Sequence, residues 1–149
     1  MIIVDTREKK NAHVLAYFER NHIQYIEKKL DTGDYMVEGQ EQLLIDRKQN
    51  LAELAVNISP NDNTRFKAEL RRLDALGGKM YILVEEKLNS LEDVKNWKNK
   101  YGKRNGASLY ATLSSYQYKH NIAFVFCHKN STGRVIAELL GVNQKKVGA

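Results

Sequence analysis

The chain has 149 residues, 42% of them hydrophobic and 28% charged, a size and balance ordinary for one soluble globular domain. Lys plus Arg number 24 against 18 Asp plus Glu, and the resulting +6 favours a polyanionic partner without identifying one. The single cysteine, Cys127, excludes an internal disulfide framework and any Cys-rich zinc site.

In chain order, Ile2-Ile3-Val4 predicts a short buried strand. Asp5-Thr6-Arg7-Glu8 then leads into a helix that carries Val14, Leu15 and Phe18 on one side, with Ala12 a further candidate, and ends near Asn21-His22. Gln24 to Leu30 and Tyr35 to Val37 read as strands interrupted by Asp31-Thr32-Gly33. Glu38-Gly39-Gln40 turns into a strand over Leu43 to Lys48. Leu51, Leu54, Ala55 and Ile58 share a helix face, stopped by Ser59-Pro60-Asn61-Asp62-Asn63. The next helix places Phe66, Leu70, Leu73 and Leu76 at helical spacing and ends at Gly77-Gly78. Met80 to Val84 is a continuous apolar run, as in a strand buried on both faces. Ser90 caps a helix through Val94 and Trp97, the loop Lys98 to Gly106 precedes a helix over Ala107 to His120, and Ile122 to Cys127 is another buried strand, with Cys127 a structural cysteine. Ser131 to Leu140 closes the pattern as an amphipathic helix, and residues 144–149 form a loose tail. Strands separated by helices predict an α/β sandwich around a central mixed sheet. No internal repeat, signal peptide or membrane span is visible, so we expect no membrane partner and an intracellular protein: cytoplasm or nucleoid, or host cytoplasm for a viral chain.

The chemistry concentrates in Asp34-x11-Asp46-x-Lys48. Residues two apart in a strand share a face, so Asp46 and Lys48 project together and Arg47 turns away. A hairpin from Gly33-Asp34 can set a second carboxylate beside them. Carboxylate oxygens suit Mg²⁺, which polarises a phosphate and activates water. A lysine two residues after a metal ligand can position that water or balance charge on the phosphoryl oxygens.

Several ordered segments resemble one family. Ile3-Val4-Asp5-Thr6-Arg7-Glu8 is similar to its opening V-D-x-R-E, Leu30-Asp31-Thr32-Gly33-Asp34-Tyr35 to its L-x-x-G-D-Y, and Ile45-Asp46-Arg47-Lys48 to its E-R-K with Asp for Glu. Arg65-Phe66 with Glu69 and Leu73 matches its R-F helix, and Tyr81 to Glu85 its following strand. On these motifs the chain resembles the XPF-type (ERCC-four) nuclease domain, a branch of the restriction-endonuclease-like PD-(D/E)xK superfamily, over nearly its whole length. The resemblance implies a restriction-endonuclease-like sandwich and a Mg²⁺- or Mn²⁺-dependent endonuclease acting on flaps, forks and junctions in DNA repair, recombination or replication. Asp34 and Asp46 would be metal ligands, Lys48 the catalytic lysine, and Glu8, at the start of the first helix, an acid beside the metal. Asp5 completes the opening motif. Arg7 and Arg47 would contact phosphate or brace the carboxylates.

Two departures stand out. The family pattern continues E-R-K-x-x-x-D, whereas this chain has Ala52 there, with Glu53 as a neighbouring acid that could substitute. After Leu140 only nine residues remain, too few for the tandem helix-hairpin-helix module of cellular relatives. We therefore expect a nuclease domain over residues 1–143 that stands free, as in viral, prophage or small prokaryotic versions, with another protein supplying duplex grip.

For DNA contact, Lys95, Lys98, Lys100, Lys103 and Arg104 are interleaved with Trp97 and Tyr101. The alternative is a solvated loop with Trp97 packed inward. Arg65, Lys67, Arg71 and Arg72 form a second basic set, of which Arg65 has family support. The resemblance implies a homodimer through the late helices, Leu109 to Tyr118 and Val135 to Leu139. His13, His22, His120 and His128 lack partners at metal-ligand spacing and read as surface or turn residues. The competing function is a catalytically silent DNA-binding or scaffold subunit; intact Asp34, Asp46 and Lys48 argue against it.

Overall fold

The apolar run from Met80 to Val84 becomes the middle of a three-strand parallel block, because its alternating side chains meet helices on both faces of the sheet. A computed structural model describes residues 1–98 and 105–142. Within these, β1 (Ile2–Val4), β2 (Tyr25–Glu27), β3 (Tyr35–Val37), β4 (Gln40–Lys48), β5 (Lys79–Glu85) and β6 (Ile122–Cys127) form one mixed sheet in the order β2-β1-β3-β4-β5-β6. The pairs β1–β2, β4–β5 and β5–β6 are parallel, while β3 runs antiparallel to both β1 and β4. The expected α/β sandwich is what forms.

Among the described residues five α-helices flank it: α1 (Ala12–Arg20), α2 (Leu51–Asn57), α3 (Thr64–Leu76), α4 (Gly106–Lys119) and α5 (Thr132–Leu140). One core layer joins Leu44, Met80, Ile82 and Val84 of the sheet to Leu54, Phe66, Leu70, Leu73, Leu109 and Leu113. The opposite layer joins Ile2, Val4, Tyr35, Ile45 and Leu83 to Val14, Phe18, Ile136 and Leu140. Alternation along β4 therefore sends even-numbered residues toward α2 and α3 and odd-numbered ones toward α1 and α5.

Several boundaries depart from expectation for local reasons. The first helix begins at Ala12, since Lys10 takes a left-handed conformation (φ 55°) that interrupts any helix from Glu8. Ala12 itself is exposed. Strand β2 is shorter than Gln24 to Leu30 because the Leu30 N–H leaves the ladder for the Asp5 carboxylate, 2.9 Å away. The segment after Ser90 is a 3₁₀ helix, Leu91–Asn96, closed by a Ser90–Asp93 capping box. Leu76 is exposed at the end of α3 rather than in the core. The expected tail, residues 144–149, lies outside the described residues.

Candidate active site

Strand alternation puts Asp46 and Lys48 side by side beneath α2 and α3, with Lys48 Nζ 3.1 Å from Asp46 Oδ2. Asp34 enters from the turn just before the neighbouring strand, β3. Its backbone N–H donates to Ile45 O (2.7 Å), and its Oδ2 accepts from the Arg47 backbone N–H (2.8 Å), which fixes the carboxylate one strand away from Asp46. The turn that delivers it needs glycine. Gly33 has φ 77°, and a Cβ there would stand 3.2 Å from Leu44 Cβ and 3.3 Å from Ile45 O. Gly33, Asp34, Asp46 and Lys48 line a cleft of about 420 Å³.

Two carboxylates are thus held together with one ammonium, Lys48, beside them. Burial, then the Asp46 charge, then Glu8, push the Asp34 carboxyl well above its ordinary range, against a smaller pull from the Arg47 N–H. Asp46 is 6% exposed, and its Oδ2 receives no donor in hydrogen-bond geometry; Lys48 lies at ion-pair distance but is not aimed along a lone pair. Burial disfavours the Lys48 charge, yet Asp46, Glu69 and Asp34 outweigh it and raise the ammonium pKa, so Lys48 stays protonated. Among the described residues no three His, Cys, Asp or Glu close into a ready-made metal cage. What remains fits Mg²⁺, which commonly takes one or two carboxylates and leaves its other positions to water and substrate phosphate. The orphaned Asp46 oxygen is the specific observation behind that fit.

On the other face of β4, Arg47 takes the second of its two expected roles, a brace for carboxylates, and not the DNA contact. Its side chain is 1% exposed and cannot reach a phosphate. Nε donates to Glu8 Oε2 (2.6 Å), Nη2 to Glu8 Oε1 (3.0 Å) and to Lys9 O (2.6 Å), and Nη1 to Glu85. Burial opposes the guanidinium charge, but Glu8, Tyr35 and Glu85 raise its pKa further still. Glu8 sits in the connection before α1, not at its first turn, and Tyr35 Oη also donates to it (2.6 Å). Both of its oxygens are thus engaged, so it is not an open ligand. Asp5 accepts from the Arg7 Nε (3.0 Å) and the Leu30 N–H, bracing the connection to Gly33, while the exposed Arg7 lines the cleft.

Glu53, the acid next to Ala52, lines the cleft but also serves its own helix. Glu53 accepts from the Gln49 N–H (2.7 Å) while its own N–H goes to Asn50 Oδ1 (2.7 Å), so it closes the N-terminus of α2. Glu69, to which sequence reasoning gave no role, comes down from α3. Its Oε1 accepts from the Gly33 N–H (3.1 Å). Burial and the Asp46 charge raise its carboxyl to about 7, against the Gly33 N–H, Lys48 and Arg72. The signal was present in the sequence: Arg65, Glu69 and Arg72 share one face of α3 at i, i+4 and i+7, and all three line the cleft.

The basic loop is only partly within the described residues. Lys98 is exposed and bridges to Asn105, whereas Lys100, Tyr101, Lys103 and Arg104 fall outside them. Trp97 packs inward against the core, and Lys95 lies over the Tyr110 ring and pairs with Glu92. His13 is not a plain surface residue: its Nε2 meets Glu85 Oε2 at 2.5 Å, and Thr132 Oγ1 donates to the same oxygen, also at 2.5 Å. Of the expected dimer surface, Leu109 and Leu113 are buried within this chain and Tyr116 packs edge-on against Phe66, while Tyr118 is 91% exposed and Val135 and Leu139 are partly so.

A model of the ERCC4 domain matches residues 4–139. The chain belongs to the ERCC4 domain family. Members of this family are structure-specific nucleases, and the XPF-like ones generally depend on divalent metal, act on branched DNA and often dimerise. Among solved structures, XPF from Aeropyrum pernix matches with a TM-score of 0.72 at 24% identity, over 97% of this chain and 67% of that one, which supports the fold. No curated protein matches the chain. Among the described residues no helix is long and apolar enough to cross a membrane.

Proposed function

We propose that this ERCC4-family chain is a Mg²⁺- or Mn²⁺-dependent endonuclease that hydrolyses phosphodiester bonds in branched DNA, at a flap, fork or junction, during repair, recombination or replication. The observation that carries the reading is the buried Asp34–Asp46 pair, with Asp46 Oδ2 undonated beside a protonated Lys48 in a cleft rimmed by Arg7, Arg65 and Arg72.

Asp34 and Asp46 would hold the divalent cation, which supplies Lewis-acid polarisation of the phosphate and neutralises charge as it gathers. Lys48 stays charged and so takes no proton from water. Its ammonium donors instead face the phosphoryl oxygens on which negative charge develops. Glu8 acts from behind, through its charge and through Arg47, because its oxygens are already engaged. Arg7, Arg65 and Arg72 hold flanking phosphates by charge-assisted contacts, which position the strand without reading its sequence. Lys98, with Lys100, Lys103 and Arg104 beyond the described residues, extends this contact on the proposed reading. A homodimer would use the exposed edge of Tyr118, Val135 and Leu139, and the site of action is inside the cell.

The reading is tested by incubating the protein at low salt with labelled flap, fork, four-way and linear duplex DNA, with Mg²⁺ or Mn²⁺ present. Faster cutting of branched than of linear substrates is expected. Binding of every substrate without cutting would identify a silent DNA-binding subunit instead.

A further inference from the structure

Of the carboxylates that line the cleft, Asp34 and Asp46 form the buried pair beside Lys48, and Glu8 holds Arg47. Glu69 lines the same cleft. Glu69 reaches the site from α3, which carries none of the other three, and the Gly33 N–H anchors it one residue before Asp34. Position 52 is alanine, and Glu53 beside it turns its Oε2 to the Gln49 N–H at the start of α2. Asp46 Oδ2 is buried and makes no hydrogen bond, with Lys48 Nζ at ion-pair distance (3.1 Å), which leaves room for a cation on the same oxygen.

We propose that Glu69 is a positioning residue of the divalent-cation site, supplying negative charge beside Asp46 and fixing Gly33-Asp34 through its Oε1. It acts beside the Asp34–Asp46 pair and not as a substitute for either, as outer carboxylates tune a metal through charge and orientation. The proposal rests on the metal-dependent reading above. It also accounts for α3 carrying an acid between Arg65 and Arg72 on a face otherwise suited to phosphate. An all-basic face would strengthen DNA contact; the interposed acid weakens that and strengthens cation capture.

The test uses the full chain and Mn²⁺ alone, with affinity read from the EPR signal of free Mn²⁺ and metal-free Tm measured in parallel. Glu69→Gln keeps an oxygen for the Gly33 N–H but removes the charge, and should weaken Mn²⁺ binding about tenfold. Its metal-free Tm should be equal to or above that of the parent, since one of several crowded acids is gone. Glu69→Asp, which keeps the charge, should recover part of the affinity. Unchanged Mn²⁺ affinity in Glu69→Gln, while Asp46→Asn abolishes binding, would overturn the inference and leave the metal site standing. Unchanged affinity in both variants would overturn the metal reading itself.

Discussion

Glu8 and Arg47 lie 39 positions apart and meet as a two-pronged fork, Nε to Oε2 at 2.6 Å and Nη2 to Oε1 at 3.0 Å, almost completely shielded from solvent. Arg47 also bonds Glu85 and the Lys9 carbonyl, so one guanidinium ties the connection before α1 to β4 and β5. Removing it would strand two buried carboxylates. Arg47→Ala should cost about 3–5 kcal/mol by urea denaturation. Arg47→Lys should recover little, because an ammonium cannot reproduce the planar fork.

Glu69 gives a pH signature in the metal-free protein. Its folded carboxyl is raised from 4.5 to about 7, so the folded state binds its proton more tightly than the unfolded chain does. Its contribution to stability is then fully present below pH 4.5 and is lost as the pH rises through about 7. Glu69→Gln lacks this titration. The parent's Tm minus the variant's, measured in chelator, should therefore fall between those two pH values; a difference that stays flat would contradict the assignment.

Much of this site could be read before any coordinates. The period-two alternation at Asp46-Arg47-Lys48 separated the two catalytic candidates from the arginine correctly, because β4 is covered on both faces and its register is thereby pinned. What alternation could not supply was the identity of the partners across the sheet. Arg47 faces α1 and α5, and only the packing of those helices shows that Glu8 and Glu85 occupy its donors. Glu69 was overlooked for a similar reason: it was part of a recognised helix motif, yet nothing in the sequence says that this face of α3 closes over Gly33. The sequence does not mark the break before α1, because a left-handed Lys10 has no strong sequence signal of the kind glycine gives.

Glu85 collects Arg47, His13 and Thr132 at the end of β5. Burial works against its charge, but Thr132, His13 and Arg47 together lower its pKa, so its contribution is present above pH 4.5 and is lost as the pH falls. Thr132 is fully buried. Thr132→Val removes a donor without changing the shape much, and should cost about 1–3 kcal/mol at neutral pH. The loss should shrink under acid conditions where Glu85 is protonated, as thermal melts across pH would show.

The α1–α5 contact depends on a close approach at Gly133, where a Cβ would stand 2.5 Å from Tyr17 Cβ and 2.7 Å from Cγ. Gly133→Ala should destabilise by about 1–3 kcal/mol through overpacking, even though alanine is the better helix former. Tyr17→Ala in the same background should restore part of the loss in a double-mutant cycle, and simple additivity would deny the contact.

The central claim is that Asp34, Asp46 and Lys48 make a divalent-metal nuclease site, and single-turnover cleavage of a labelled branched duplex tests it most directly. With Mg²⁺ or Mn²⁺ the parent should cut and chelator should stop it, while Asp46→Asn and Lys48→Ala should each lower the rate by about a hundredfold or more with DNA binding largely retained. Full-rate cutting by Asp46→Asn, or by the parent in chelator, would contradict the account.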